Sequence, residues 1–373
     1  MTRFGPACHD APVIAVRVLV AVAGAYLVAS TLLSAIKTVV LPRASNTAIT
    51  RTLFVIVRRL FEMRAHEGRP FEQRDRILAL YAPLTLVFLP GVWIVLTIAG
   101  FTAIFWGTGV NGVSEAFVTS GSSMMTLGYV RPDGLGRVAL TFVEATLGLG
   151  LVALLISYLP SMYAAFRGRE LLVGLLESRA GIPPSPVEML TRYQRIESLD
   201  AIDVDLFPIW EPWFVDIEET HTSTPMLVFF RSPQPGRSWI TAAGCVLDAA
   251  ALVASTLDRP RSSRSELCVR TGYLALRRIA DVFGLPYDPA PKPTDPISIS
   301  RREFDNVCIE LEAAGIALKA NRDAAWQSFA GWRVNYDAVL VGLARLVVAP
   351  DARWSTDRPG ERVVTRIRRT KPR

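Results

Sequence analysis

The sequence predicts an all-α membrane protein: three membrane-crossing helices in its first half, then a helical soluble domain. Three observations predict it. Half of the 373 residues are hydrophobic and mean hydropathy is +0.30, although 20% are charged. The apolar residues must therefore be concentrated, and they are: residues 18–36, 77–114 and 145–166 are runs of 19, 38 and 22 without a charge. About 20 apolar residues cross the hydrocarbon core as a helix. Second, Arg43, Arg51, Arg58, Arg59, Arg64, Arg69, Arg74 and Arg76 fill the connection between the first two runs, whereas residues 107–136 hold one basic residue, Arg131. Arginine in short connections marks the cytoplasmic side. Third, beyond Arg167 charges alternate with leucines at helical spacing and strand-like alternation is scarce.

The N-terminal transmembrane helix is placed within residues 1–41. Arg17 precedes an apolar core longer than the about 7–15 residues of a signal peptide, and no clear A-x-A site follows before Lys37, so the helix is read as retained. Residues 42–76 form a basic cytoplasmic loop. Within it RTLFVIVRRLFEMR, residues 51–64, places Leu53, Phe54, Ile56, Val57, Leu60 and Phe61 on one broad face. Such a helix either lies on the inner membrane surface or packs on the soluble domain. The second span, residues 77–106, carries Pro83 and Pro90, which kink membrane helices. After the turn-rich GTGVNG, residues 113–125 read as a helix too short to span, and residues 138–166 as the third span. The count puts the amino end outside and the carboxyl domain in the cytoplasm, in a multi-pass protein of the plasma membrane.

Residues 169–186, ending in GIPPSP, read as a linker to a helical cytosolic domain, 187–350. Helical periodicity covers 187–195, 238–256, 263–283, 300–320 and 322–348, with S-x-x-E capping boxes at Ser263/Glu266 and Ser300/Glu303. The run 238–256 holds a single charge, Asp248, and as a fourth span would put the carboxyl end outside, so it is read as a buried soluble helix. Residues 351–373 read as a basic disordered tail. The last 17 residues carry seven basic against two acidic groups, +5 of the chain's +7. On a membrane protein, anionic inner-leaflet lipids are the nearer partner for this tail and the basic loop, and no nucleic acid is expected.

Catalytic chemistry has little to work with. Cys8, Cys245, Cys268 and Cys308 show no CxxC spacing, and His9, His66 and His221 sit in no metal pattern. Eight acidic residues between 196 and 219 lack the glycine and spacing of an EF-hand, and read as a solvated face or a contact for the basic loop. Trp210, Trp213, Trp239, Trp326 and Trp332 read as core. No GxGxxG after a strand, Walker motif, nucleophile elbow or HExxH occurs. An enzyme is not expected.

One stretch remains: SGSSMMTLGYVRPD, residues 120–133. Thr126-Leu127-Gly128-Tyr129 resembles the filter of potassium channels, Thr-Val/Ile-Gly-Tyr/Phe-Gly, whose carbonyls replace the water around a dehydrated cation. It follows the half-length helix and lies between two spans, as in the two-transmembrane pore unit of bacterial pore-loop ion channels, preceded here by one extra helix. The resemblance covers roughly 76–170. It implies a pore domain over 77–168, a re-entrant pore helix over 113–125, and a filter of Thr126, Leu127, Gly128, Tyr129 and Val130. It further implies gating near Gly148, Gly150 and Pro160. Glu144, an ionisable residue inside the third span seven residues after Arg137, is expected behind the filter, steadying the loop by hydrogen bonds. A homotetramer in the bilayer, passing a monovalent cation (K+) with no other cofactor and gated through the cytosolic domain, follows from the same resemblance. Val130 stands where the family has glycine, and a β-branched residue disfavours positive φ, so the outermost site is expected to be distorted. Arg131 adds positive charge near the outer mouth. A membrane sensor or scaffold protein that keeps the pore architecture without conducting is the other expectation.

Overall fold

The charge-free runs are largely helical in the computed structural model of the chain, which describes residues 10–39, 47–66 and 68–358. Six helices come first: α1 (Asp10–Val39), α2 (Ala48–Arg64), α3 (Phe71–Ala79), α4 (Tyr81–Gly107), α5 (Val113–Met124) and α6 (Leu135–Ala180). Three segments are long and apolar enough to cross a membrane, Val13–Val39, Phe71–Gly107 and Leu135–Ala180. The second span is not one kinked helix, because the chain breaks at Leu80. Pro83 lacks the N–H that would bond the Ala79 carbonyl, and its ring would crowd that carbonyl. Pro83 is instead the third residue of a new helix, where an N–H is not needed. The third span runs on through Arg167 to Ala180, so most of the expected linker is helix. Gly181, at φ +78°, then ends it.

The chain divides into two compact units, residues 1–60 with 83–162, and residues 61–82 with 163–373. In the first, α1 meets α4 almost backbone to backbone. A Cβ on Gly24 would lie 2.4 Å from the Gly100 carbonyl oxygen, and one on Gly107 would lie 2.5 Å from the Arg17 carbonyl oxygen. Where lipid is as apolar as leucine, such close van der Waals packing is what holds helices together. Two apolar clusters follow one another along the unit. Val28, Phe101, Phe105, Val110 and Ala116 form one; Ala35, Leu89, Trp93, Met124 and Leu151 form the other. At the C-terminal end of α1, Ser34 and Thr38 share hydroxyl bonds with Thr47 and Thr50, which ties down the start of α2.

The second unit is built around α10 (Trp239–Ser255), of which every residue but Ala254 is buried. Around it lie α7 (Pro186–Ile196), α8 (Ile202–Asp205), α9 (Phe207–Ser223), α11 (Ser263–Phe283), α12 (Arg301–Ala313), α13 (Arg322–Arg333) and α14 (Asp337–Val347). No strand occurs among the described residues; the sole extended contact is one bridge, Leu257 to Leu318. Asp248, the charge within α10, is buried and accepts from Arg333 and, at 2.9 Å, from Tyr336 Oη. Arg333 reaches on to Asp337 at 2.8 Å and to the Trp354 carbonyl at 2.5 Å. A lone charge in lipid thus becomes a paired one in a protein core.

Several boundaries differ from the sequence expectation. Ser262, not Ser263, caps α11, accepting from Ser265 N, while Glu266 pairs with Arg261. The capping box at Ser300/Glu303 is present in full. The run 322–348 is two helices, interrupted at residues 334–336. The expectation of a disordered tail from 351 fails for its first part: Ala352, Trp354 and Ser355 are buried, and Arg358 pairs with Glu303. Residues 359–373 lie outside the described residues, as do Cys8, His9 and Arg43.

Candidate functional site

The half-length helix forms because Ala116, Thr119, Ser120, Ser123 and Met124 repeat at three- and four-residue spacing, and α5 buries these together with Ser122. Gly112, at φ +86°, makes the entry turn. Twelve residues give a helix about 18 Å long. Its start packs in the cluster of Phe105 and Val110 near the end of α4. Its last residue, Met124, packs with Leu89 and Trp93 near the middle of α4, and with Leu151 on α6.

The chain then turns irregular. Thr126 N–H donates to the Ser123 carbonyl at 3.0 Å, and Leu127 and Gly128 N–H to the Ser122 carbonyl at 2.8 and 3.4 Å. Val130 N–H donates to Ser122 Oγ at 3.3 Å. Ser122 therefore holds the loop from both its carbonyl and its hydroxyl. Sequence reasoning missed this residue; the signal was the SGSS run, small hydroxyl residues at a helix end. Thr126 and Gly128 have φ of +55° and +67°, a left-handed conformation at alternate residues, while Val130 does not adopt it. For threonine that conformation is strained, costing on the order of 1–3 kcal/mol. Leu127 and Tyr129 are 64% and 66% exposed in the single chain, and Arg131 is exposed too.

Behind the loop lies Glu144, wholly buried on α6. Its Oε1 accepts from Ser120 Oγ at 2.5 Å, and Ser120 Oγ also lies 3.1 Å from the Ile98 carbonyl on α4. One hydroxyl thus joins three helices. Gly148 is where α6 touches the end of α5: a Cβ there would be 2.5 Å from the Met124 carbonyl oxygen. Gly150 has nothing within 4 Å of its added Cβ, and Pro160 lies inside α6 without ending it. The three residues expected at a gate therefore differ, since Gly148 is a close contact and Gly150 faces open space.

Among the described residues, no group of three or more His, Cys, Asp and Glu is placed to hold a metal. Three of the eight acidic residues of the stretch 196–219 are paired within the second unit: Asp203 with Arg259 at 2.5 Å and Ser262 at 2.6 Å, Asp200 with Arg259 at 3.0 Å, and Glu218 with Arg278. Cys245, Cys268 and Cys308 are free and buried, and burial pushes the thiols of Cys245 and Cys268 well above the ordinary range. Trp210, Trp213 and Trp239 are buried, with Trp326 and Trp332 packed against the same core. No protein-family model matches the chain, and no curated protein and no solved structure shows significant similarity to it.

Proposed function

We propose that the chain is one subunit of a homotetrameric pore-loop cation channel, with α5 as its re-entrant pore helix and the carbonyls of residues 126–129 as its filter. The observation that carries this reading is the loop after α5: irregular backbone beside the middle of a membrane-length helix, exposed in a single chain. Lipid cannot satisfy such backbone, so it belongs where protein or water covers it. Copies of the chain around a water-filled axis would supply both. Left-handed residues at alternate positions, 126 and 128, support the turning of successive carbonyls to one side. The carboxyl end of α5, the negative end of its dipole, points into this loop. Glu144 would then be a support behind the filter rather than an ion ligand, and α6 the pore-lining helix.

The second reading, a tetrameric membrane sensor that passes no ions, rests on Val130 and Arg131. Val130 keeps negative φ and commits its N–H to Ser122, so the outermost carbonyl ring would be altered, and Arg131 repels cations at the mouth. Reversal potentials of the purified protein in planar bilayers separate the two. A cation-selective current that falls at least tenfold in Gly128→Ala is the expected result. Intact tetramers without current at any voltage would establish the sensor instead.

A further inference from the structure

The helix α2 has one face that the protein leaves uncovered. Its inner side is occupied: Thr50 and Val57 are buried, and Ile49 and Leu53 pack against the cluster of Ala35, Leu89, Trp93, Met124 and Leu151. Ile56, Leu60 and Met63 are 53%, 53% and 67% exposed. At about 100° per residue these three lie within roughly 60° of one another, beside the packed side. Arg51, Arg58 and Arg59 occupy the remaining sector with Val55 among them, and α2 carries four arginines, with Arg64, against one acid, Glu62. The hydroxyl bonds of Thr47 and Thr50 to Ser34 and Thr38 fix the start of α2 beside the last turns of α1, where that span ends.

We propose that α2 lies in the surface of the bilayer and binds anionic lipid, with Ile56, Leu60 and Met63 among the acyl chains and its arginines among the phosphates. An apolar sector next to the packed side, and a basic sector away from it, is the arrangement a headgroup boundary rewards. The charge complementarity favours lipid over a second copy of the chain, whose α2 would bring the same arginines into opposition. The inner side of α2 rests on the cluster that holds Met124, the residue before the candidate filter loop. Anionic lipid therefore has a direct packing route to the base of that loop. The surface assignment itself stands whether or not the protein conducts.

The test uses the full chain with Cys8 replaced by serine, the remaining thiols being buried. A fluorophore is placed at Leu60→Cys or Val55→Cys and the protein reconstituted in vesicles. In phosphatidylglycerol vesicles, brominated lipid should quench the label at position 60 at least threefold more than at 55, with aqueous iodide showing the reverse order. In phosphatidylcholine vesicles, lipid quenching at position 60 should fall at least twofold. Equal iodide access at the two positions, or indifference to the lipid headgroup, overturns the proposal. Label-to-label dipolar coupling at position 60 also overturns it, since a second copy would then cover the face. Met63→Cys repeats the measurement should Leu60→Cys perturb the fold.

Discussion

Gly148 has room for a hydrogen and for nothing larger. A methyl group there meets the Met124 carbonyl oxygen at 2.5 Å, whereas one at Gly150 meets nothing within 4 Å. Gly148→Ala is therefore expected to lower stability by about 1–3 kcal/mol, the usual cost of overpacking. Gly150→Ala, relieved of glycine's helix penalty, is expected to be neutral or stabilising by up to about 1 kcal/mol. Thermal unfolding of the two variants in detergent checks the difference; equal behaviour would mean that α6 does not press on α5. The sequence showed both glycines, and their role as close contact or open position could not be read from it, because it depends on which backbone comes opposite. The same holds for Thr126. Its residue type argues against positive φ, and only the bonds from residues 126–128 back to α5 show why it is held there.

Among the elements, α9 is the one the sequence concealed. Phe207, Trp210, Trp213, Phe214 and Ile217 repeat at helical spacing and are buried, yet the interleaved Glu211, Asp216, Glu218 and Glu219 made the stretch read as a solvated acidic run. Charge content masked a periodicity that was present. The first span and α5, by contrast, were legible to within a few residues, whereas the third span continues as helix to Ala180 because its charged extension keeps helical spacing. For α10, the decisive contact is Asp248 with Arg333. Replacing Arg333 by Met leaves a buried carboxylate uncompensated, and about 3–5 kcal/mol of stability should be lost. Replacing Asp248 by Leu at the same time should recover part of it, as tryptophan fluorescence in denaturant would report. The start of α12 responds to pH. The Arg358 guanidinium and the bonds of Ser300 hold Glu303 down at about 2, against an ordinary 4.5. A depressed carboxylate stabilises the fold above pH about 4.5 and loses that contribution as pH falls towards 2. A titration followed by hydrogen exchange of the Ser300 amide should show this loss, and Glu303→Gln should abolish it.

For the whole molecule, the two units divide the work of explanation unequally. The second is a well-filled helical core whose ion pairs and tryptophans account for its fold. The first exposes an irregular loop beside the middle of a membrane-length helix, held by bonds back to Ser122 and Ser123, and the proposed pore rests on that loop. His221 shows how settled the second unit is: burial, and then the charge of Arg169, push it well below the ordinary histidine range. Acidification below about 6.5 therefore costs folding stability rather than switching the residue in place.

The glycine seam between α1 and α4 has a consequence for how the polypeptide is made. Two helices that touch through Gly24, Gly100 and Gly107 fit each other backbone to backbone. A chain severed within residues 40–46 and produced as two separate polypeptides should then reassemble in the bilayer and co-purify. Gly24→Val on the short fragment should prevent the reunion. Covalent continuity would then be a convenience of synthesis, with the seam itself carrying the information for pairing.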